Sequence, residues 1–224
     1  MKTIRVNLSA DSYNIHIDKG LLEKIGDILV KEKTPCKTLL ITDKNIEKVY
    51  GSIVTESLKR NKFDVRLVSL QPGEEQKTLE TAGILYEACF DQKLDRNSLI
   101  VALGGGVVGD ISGFVAATFM RGIPFIQIPT SLLAQVDSSI GGKVAVNHPK
   151  GKNMIGSFYQ PMAVFIDTET LSTLPAPELA AGLVEVIKYG VIKDTELFEY
   201  IEKSLYDILQ LNHNALLKII ATSC

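Results

Sequence analysis

Short apolar runs alternate with helix-patterned stretches along most of this chain, and that alternation leaves few folds open. KTLLITD, FDVRLVSL, SLIVAL, PFIQIP and AVFIDT are compact apolar runs and predict buried strands. LLEKIGDILVKE, Asn45–Arg60, Thr78–Lys93 and Ile111–Met120 place apolar residues three and four apart, the spacing of one helix face. TSLLAQVDS predicts a further short helix. Parallel neighbouring strands need long crossovers, usually helical. The expected fold class is therefore α/β, an open, mostly parallel sheet with helices on both faces. Ahead of it, the alternating stretches Thr3–Leu8 and Tyr13–Asp18 flank a polar SerAlaAspSer and predict an antiparallel hairpin. From Leu171 onward the pattern is helical only. The expected division is an α/β domain over Met1–Thr170 and the beginning of an α-helical one over Leu171–Cys224.

Composition bounds what such a fold can do. The 224 residues amount to one large domain, or one and the start of another, at roughly 100–200 residues each. Twenty-four Lys and Arg against 26 Asp and Glu give a net charge of −2. That excludes a global basic field for nucleic acid or an anionic membrane. No apolar run approaches the roughly 20 residues of a membrane span, and MKTIRVNLSADSYNIHID has no apolar signal core. Three widely spaced cysteines, Cys36, Cys89 and Cys224, fit a reducing cytoplasm better than a disulfide framework. The closing LNHNALLKIIATSC reads as an unfinished helix.

The ends of the predicted strands are the informative places. Ligands of open parallel sheets bind outside the strands' carboxyl ends. Asp43 follows LLIT, ProGlyGluGluGlnLys follows VRLVSL, the triple glycine follows LIVAL, and Pro129-Thr130-Ser131 follows FIQI. These ends should face one crevice. Gly104-Gly105-Gly106-Val107-Val108-Gly109 has the form GxGxxG between a strand and a helix. A glycine backbone can approach a phosphate closely, and the helix start offers N–H groups to it. The same glycines would also serve tight helix–sheet packing. No acidic residue lies about 20 positions further on, where a ribose partner is usual; the suitable acid, Asp43, comes earlier. Asp110 is expected in the first turn of the next helix, either capping N–H groups or accepting from a carboxamide.

Arg121–Pro161 is rich in Lys, Asn and Gly and carries little helix pattern. It reads as a long irregular stretch, either a solvated basic loop or a binder of anionic ligands. Glu185 and Lys188 lie three apart in LAAGLVEVIKYGVI and share a helix face. They form either an ion pair or a metal ligand beside a substrate-anion binder.

Together PGEEQKT, GGGVVGD, FMRGIPFIQIPTSLLAQVDSSIGGKVAVNHPKGKNMIGSFYQP and LSTLPAPELAAGLVEVIKYG resemble the 3-dehydroquinate synthase family, the sugar-phosphate cyclases. The resemblance implies a Rossmann-like NAD-binding domain followed by a helical metal-binding domain. It implies that Asp43 holds the adenosine ribose. Glu74 to Lys77 and the turn Gly105, Gly106, Val107 and Val108 would hold the adenosine and pyrophosphate, with Asp110 near the nicotinamide. Thr130, Ser131, Lys152 and the Thr170–Thr173 segment would complete the NAD site. Ser131 stands where the family more commonly has threonine, which keeps the hydroxyl. Asp137, Lys143, Asn153 and Lys188 would contact substrate, with Lys143 also close to the cofactor. Arg121 would reach the substrate phosphate of a neighbouring subunit, which implies a homodimer, and Glu185 would be one of three metal ligands, normally for zinc.

The implied reaction turns 3-deoxy-D-arabino-heptulosonate 7-phosphate into 3-dehydroquinate and phosphate, in the shikimate pathway. A ring alcohol is oxidised by NAD, the acidified neighbouring C–H allows phosphate to leave, hydride returns, and an internal aldol step closes the carbocycle. Related readings are another sugar-phosphate cyclase, an alcohol or glycerol dehydrogenase of the same superfamily, and a non-enzymatic NAD-binding module. The family's other metal ligands are histidines, and His16, His148 and His213 stand in none of its motifs. The chain is therefore expected to correspond to the first two-thirds of such an enzyme, and to bind NAD without turning substrate over.

Overall fold

The computed structural model describes residues 1–224. Nine strands and eight α-helices follow one another as β1 (Lys2–Val6), β2 (Tyr13–Asp18), α1 (Ile25–Leu29), β3 (Lys37–Asp43), α2 (Lys44–Ile46), α3 (Ser52–Arg60), β4 (Asp64–Leu70), α4 (Leu79–Asp91), β5 (Leu99–Gly104), α5 (Gly106–Thr118), β6 (Phe125–Pro129), β7 (Lys143–His148), β8 (Gly151–Phe158), β9 (Ala163–Asp167), α6 (Ala176–Ile192), α7 (Thr195–Leu209) and α8 (His213–Ser223). Seven strands form one sheet in the order β1-β2-β9-β6-β5-β3-β4. Only the β1–β2 pairing is antiparallel; every other pairing within the sheet is parallel. The fold is the α/β class that the alternation predicts.

Burial explains why these strands were legible. All residues of β5, β6 and β9 are buried, because a strand covered on both faces has no solvent side to alternate with. On one face, α4 and α5 close over Leu39, Ile41, Ile100 and Ala102, with Val144 and Val146 of β7 in the same cluster. On the other, α1 and α3 close over Leu40, Val65, Val101 and Phe165. Helices α6 to α8 add Val186, Ile201, Ile208, Leu216 and Ile219 to a third cluster, whose sheet side is Tyr13, Ile15, Ile17, Val164 and Ile166. The helical end of the chain thus shares its core with β2 and β9.

Asp167, at the end of β9 and 2% exposed, anchors the connection after β2. Its carboxylate accepts hydrogen bonds from the backbone N–H of Gly20, Leu22 and Glu169 at 3.0, 3.0 and 2.9 Å. Charge-assisted bonds of this kind satisfy donors that would otherwise be buried alone.

Four details differ from the sequence reading. The first strand ends at Val6, and a 3-10 turn at Ser9–Asp11 follows it. Helix α5 begins at Gly106, not Ile111, so the glycines themselves form its first turn. Ala134–Ser138, within the predicted short helix, is wound as a π-turn. The later part of the stretch expected to be irregular, Lys143 to Phe158, is a second sheet, the antiparallel hairpin β7–β8. Its alternation is carried by Val144 and Val146 alone, while β8 has no buried residue and shows no apolar period.

Helix α5 touches β7 through Gly113, where a Cβ would collide with Val144 Cγ1 and come within 3.2 Å of Phe125. Gly113→Val is therefore expected to cost about 1–3 kcal/mol by overpacking, read as a shifted urea midpoint with an unchanged slope. A second prediction concerns His16, which is 5% exposed and stacked on Phe165 at 5.2 Å. Burial pushes its imidazole below the ordinary 6.5, against an opposing pull from Glu32. The unfolded chain then binds the proton more readily than the folded one, so stability falls as pH drops below about 6.5. Denaturation between pH 5 and 8 should show that fall, and His16→Gln should flatten it.

Candidate functional site

The parallel strands bring their carboxyl ends to one edge. From β3 the chain passes to β4 on one side, then returns to β5 on the other and continues outward through β6 to β9. The order reverses between β3 and β5, the switch point at which such sheets open a crevice. A crevice of about 880 Å³ lies there, lined by Asp43, Glu74, Lys77, Gly105 to Val108, Asp110, Thr130, Ser131, Thr170 and Thr173 among others. The strand-end residues that the sequence singled out do converge.

The glycine turn divides into two kinds of position. A Cβ on Gly104 would lie 2.8 Å from Val108 Cγ2, and one on Gly109 2.7 Å from Gln127 Oε1. Those two glycines serve packing. A Cβ on Gly105 would meet only Ser131 Oγ, at an ordinary 3.7 Å, and the backbone there has φ −77°. Neither crowding nor backbone geometry demands glycine at Gly105. No side chain caps α5 at this point, so the first N–H groups and the positive end of the helix dipole open on the crevice without a partner. That is an anion-binding arrangement.

Asp43 lies opposite, at the end of β3. Its Oδ1 accepts from the N–H groups of Asn45 and Ile46 at 2.8 and 3.1 Å, which fixes its rotamer at the start of α2. Thr130 is buried, its N–H donating to Gly104 O at 3.0 Å. Thr170 is also buried, and Thr173 shares a 2.8 Å hydrogen bond with the Tyr50 hydroxyl.

Asp110 is not a cap. With the helix beginning at Gly106, Asp110 lies beyond the first turn, and its carboxylate forms an ion pair with Lys77. Lys77 is 4% exposed and also donates to Asn153 Oδ1 at 2.5 Å. Burial raises the Asp110 carboxyl above its ordinary value, and the hydrogen bond and charge of Lys77 pull against that rise. Asp110 and Asn153 stand where the crevice meets a second opening of about 480 Å³, lined also by Asp137, Ser138 and Lys143. Asp137, Lys143 and Asn153 therefore do come together. Asp137 Oδ1 accepts from the Tyr189 hydroxyl of α6 at 3.3 Å; burial, reinforced by the charges of Asp137 and Glu185, raises the Tyr189 pKa.

Other expected residues stand apart. Lys152 faces a separate polar cleft on the other side of the hairpin, with Glu74, Glu80, His148 and Lys150. Asn153 turns into a left-handed conformation within the hairpin's register shift, and it lines the crevice while Lys152 does not. Arg121 follows the far end of α5, about 20 Å from the glycine turn at 1.5 Å per residue. Glu185 and Lys188 pair with each other on α6, outside the lining of both openings.

Sequence reasoning passed over Gln135. It is fully buried in the turn after β6, and its Nε2 donates to Pro129 O, Asp167 O and Thr170 Oγ1 at 3.3, 3.3 and 3.0 Å. It joins the ends of β6 and β9 to the Thr170 turn. The available signal was a polar residue between Ala134 and Val136, where the apolar face of a helix was expected.

Sheet and crevice define a Rossmann-like α/β protein with its binding cleft at the switch point. The family model for the 3-dehydroquinate synthase N-terminal part matches residues 67–181, and that for the C-terminal part matches 182–224. The chain belongs to the 3-dehydroquinate synthase family. It is 56% identical over its whole length to the 3-dehydroquinate synthase of Desulforamulus reducens and 52% identical to that of Pelotomaculum thermopropionicum. It spans 62% and 60% of those relatives' lengths. Among solved structures it resembles a 2-epi-5-epi-valiolone synthase from Streptomyces hygroscopicus with NAD+ and Zn2+ bound. The TM-score is 0.87 at 27% identity, over 97% of this chain and 61% of that one. A 2-deoxy-scyllo-inosose synthase complexed with carbaglucose-6-phosphate, NAD+ and Co2+ gives 0.78 at 32% identity, over 84% of this chain and 50% of that one. An iron-containing alcohol dehydrogenase at 17% identity and TM-score 0.75 shares the fold. No helix is long and apolar enough to cross a membrane.

The Lys77–Asp110 pair gives a direct test of the site's electrostatics. Asp110→Ala and Lys77→Met should each destabilise by about 3 kcal/mol, because each leaves the other charge buried alone. The double variant should cost less than the sum by at least about 1 kcal/mol, measured by urea denaturation at pH 7.

Proposed function

We propose that this chain binds NAD in the crevice and serves the 3-dehydroquinate synthase reaction, the conversion of 3-deoxy-D-arabino-heptulosonate 7-phosphate into 3-dehydroquinate and phosphate. One observation carries the reading: the bare N-terminus of α5 at Gly105, at the switch point of the sheet. Family membership supports the choice of reaction. When bound, NAD supplies a reversible oxidation of a substrate alcohol.

The backbone N–H groups from Gly105 to Val108 hold the pyrophosphate. Asp43 accepts from the adenosine ribose through the carboxylate oxygen that Asn45 and Ile46 leave free. Glu74, Lys77, Thr130, Ser131 and the Thr170–Thr173 turn complete the crevice, with Asp110 toward the nicotinamide. Lys152 joins the site only if its cleft on the far side of the hairpin opens toward it. In the adjoining opening, the Lys143 ammonium attracts the substrate's anionic groups while Asp137 and Asn153 orient its hydroxyls. Lys188 serves substrate from α6. Arg121, at the end of α5 remote from its own crevice, fits the role of a residue given to a neighbouring copy, and hence a homodimer.

The family's divalent metal, for which zinc or cobalt is the expectation, does not fit these residues alone. Glu185 is paired with Lys188, and no three His, Cys, Asp or Glu side chains converge. Glu185 is assigned as one donor. By itself the chain should bind NAD without releasing phosphate from substrate; release at ordinary enzymatic rates, about 1–1000 per second, would overturn that expectation.

Calorimetric titration with NAD tests the cofactor site. Gly105→Asp places a carboxylate where a Cβ has room and where it caps the helix itself. Melting temperature should hold or rise while NAD affinity falls at least about tenfold, or ~1.4 kcal/mol. Unchanged affinity would sink the reading.

A further inference from the structure

We propose that Asn147 is a positioning residue that locks the Glu74–Lys77 loop to the hairpin and thereby sets the wall between the two openings. The proposal rests on the reading of the crevice as the NAD site.

The evidence begins with an irregularity in the hairpin. The β7–β8 register shifts between Val146 and His148, so that residues 152–154 of β8 stand opposite Asn147 alone. Bulges of this sort re-aim a residue and recur beside active sites. The Asn147 backbone N–H donates to Lys77 O at 2.7 Å. Its side-chain Nδ2 donates to Glu74 Oε1 at 2.7 Å, and its Oδ1 accepts from the Asn153 N–H at 3.0 Å. Each of these bonds goes to a residue that lines the crevice.

The consequence reaches the junction of the openings. Lys77 is held by its own carbonyl, and its ammonium meets Asp110 and Asn153. Asn153 is held by its N–H in a left-handed conformation, φ 58°, which a non-glycine residue adopts at a cost of about 1 kcal/mol or more. Asn147 thus fixes both partners of the Lys77–Asn153 hydrogen bond while lying on the far side of the hairpin, against the Lys152 cleft. The carboxamide meets the demand with two separate atoms, Nδ2 donating to a carboxylate and Oδ1 accepting from an N–H. Aspartate keeps the acceptor but sets a second carboxylate against Glu74.

The experiment compares wild type, Asn147→Asp and Asn147→Ala, with Lys150→Ala at the hairpin turn as reference. Hydrogen exchange of the ligand-free proteins and calorimetry with NAD are both measured at one temperature below the cooperative melting transition of all four proteins. In Asn147→Asp, exchange at Glu74–Thr78 should accelerate at least about tenfold with β5 and β6 unchanged, and NAD affinity should fall at least about tenfold. Asn147→Ala should act in the same direction and supplies the answer if the aspartate variant does not fold. Unaltered exchange at Glu74–Thr78 overturns the tether. Wild-type binding matched within twofold by both variants overturns the positioning role and leaves the crevice reading standing. A wild type that binds no NAD overturns the crevice reading itself.

Discussion

Helix α5 packs on the sheet through Ile111, Phe114 and Val115, and comes closest where Gly109 and Gly113 carry no side chain. Gly109 lies against the Gln127 amide and Gly113 against Val144 and Phe125, and at each a single added carbon would overlap its neighbour. A helix set further off would carry its first turn away from the end of β5, and the crevice between Asp43 and Gly105 would lose one wall. The same approach presses the helix onto β7, so the hairpin that carries Lys143 and Asn153 is registered against the helix that carries Asp110. The placement of the residues lining the two openings thus descends from one contact surface. At Gly109 and Gly113 the helix meets it with bare backbone, which tolerates little adjustment.

This dependence explains what could be read from the sequence and what could not. Strands β5, β6 and β9 are apolar throughout because both faces are covered, and such runs announce themselves. Asp43, Gly105 and Thr130 were readable with them, since a residue at the end of a parallel strand has its location decided by topology, whereas Thr170 was reached through the family resemblance alone. The start of α5 was not readable. Glycine has a poor helix propensity, so a helix whose first turn contains Gly106 and Gly109 appears to begin at Ile111, and Asp110 then looks like a cap. The hairpin was hidden for a different reason. Strand β8 is open to solvent, and GKNMIGSF has no buried period to betray it. With the strand unseen, the cleft that takes Lys152 away from the expected cofactor crevice could not be foreseen.

Charge supplies the last step. Lys77 lies deep in the crevice wall, yet its ammonium is already neutralised by Asp110, and Glu185 and Lys188 neutralise each other. Asp137 is held by the uncharged Tyr189 hydroxyl, which burial and the neighbouring carboxylates keep protonated. Along the two openings, the positive elements without a carboxylate partner are the bare start of α5 and the exposed Lys143. One opens on the crevice and the other on the adjoining opening, so an anion held at each would be separated by the wall of Asp110, Lys77 and Asn153. A dinucleotide's pyrophosphate and an anionic substrate would be attracted to different ends of one site, because the Lys77–Asp110 pair between them leaves no free cation there to draw them together.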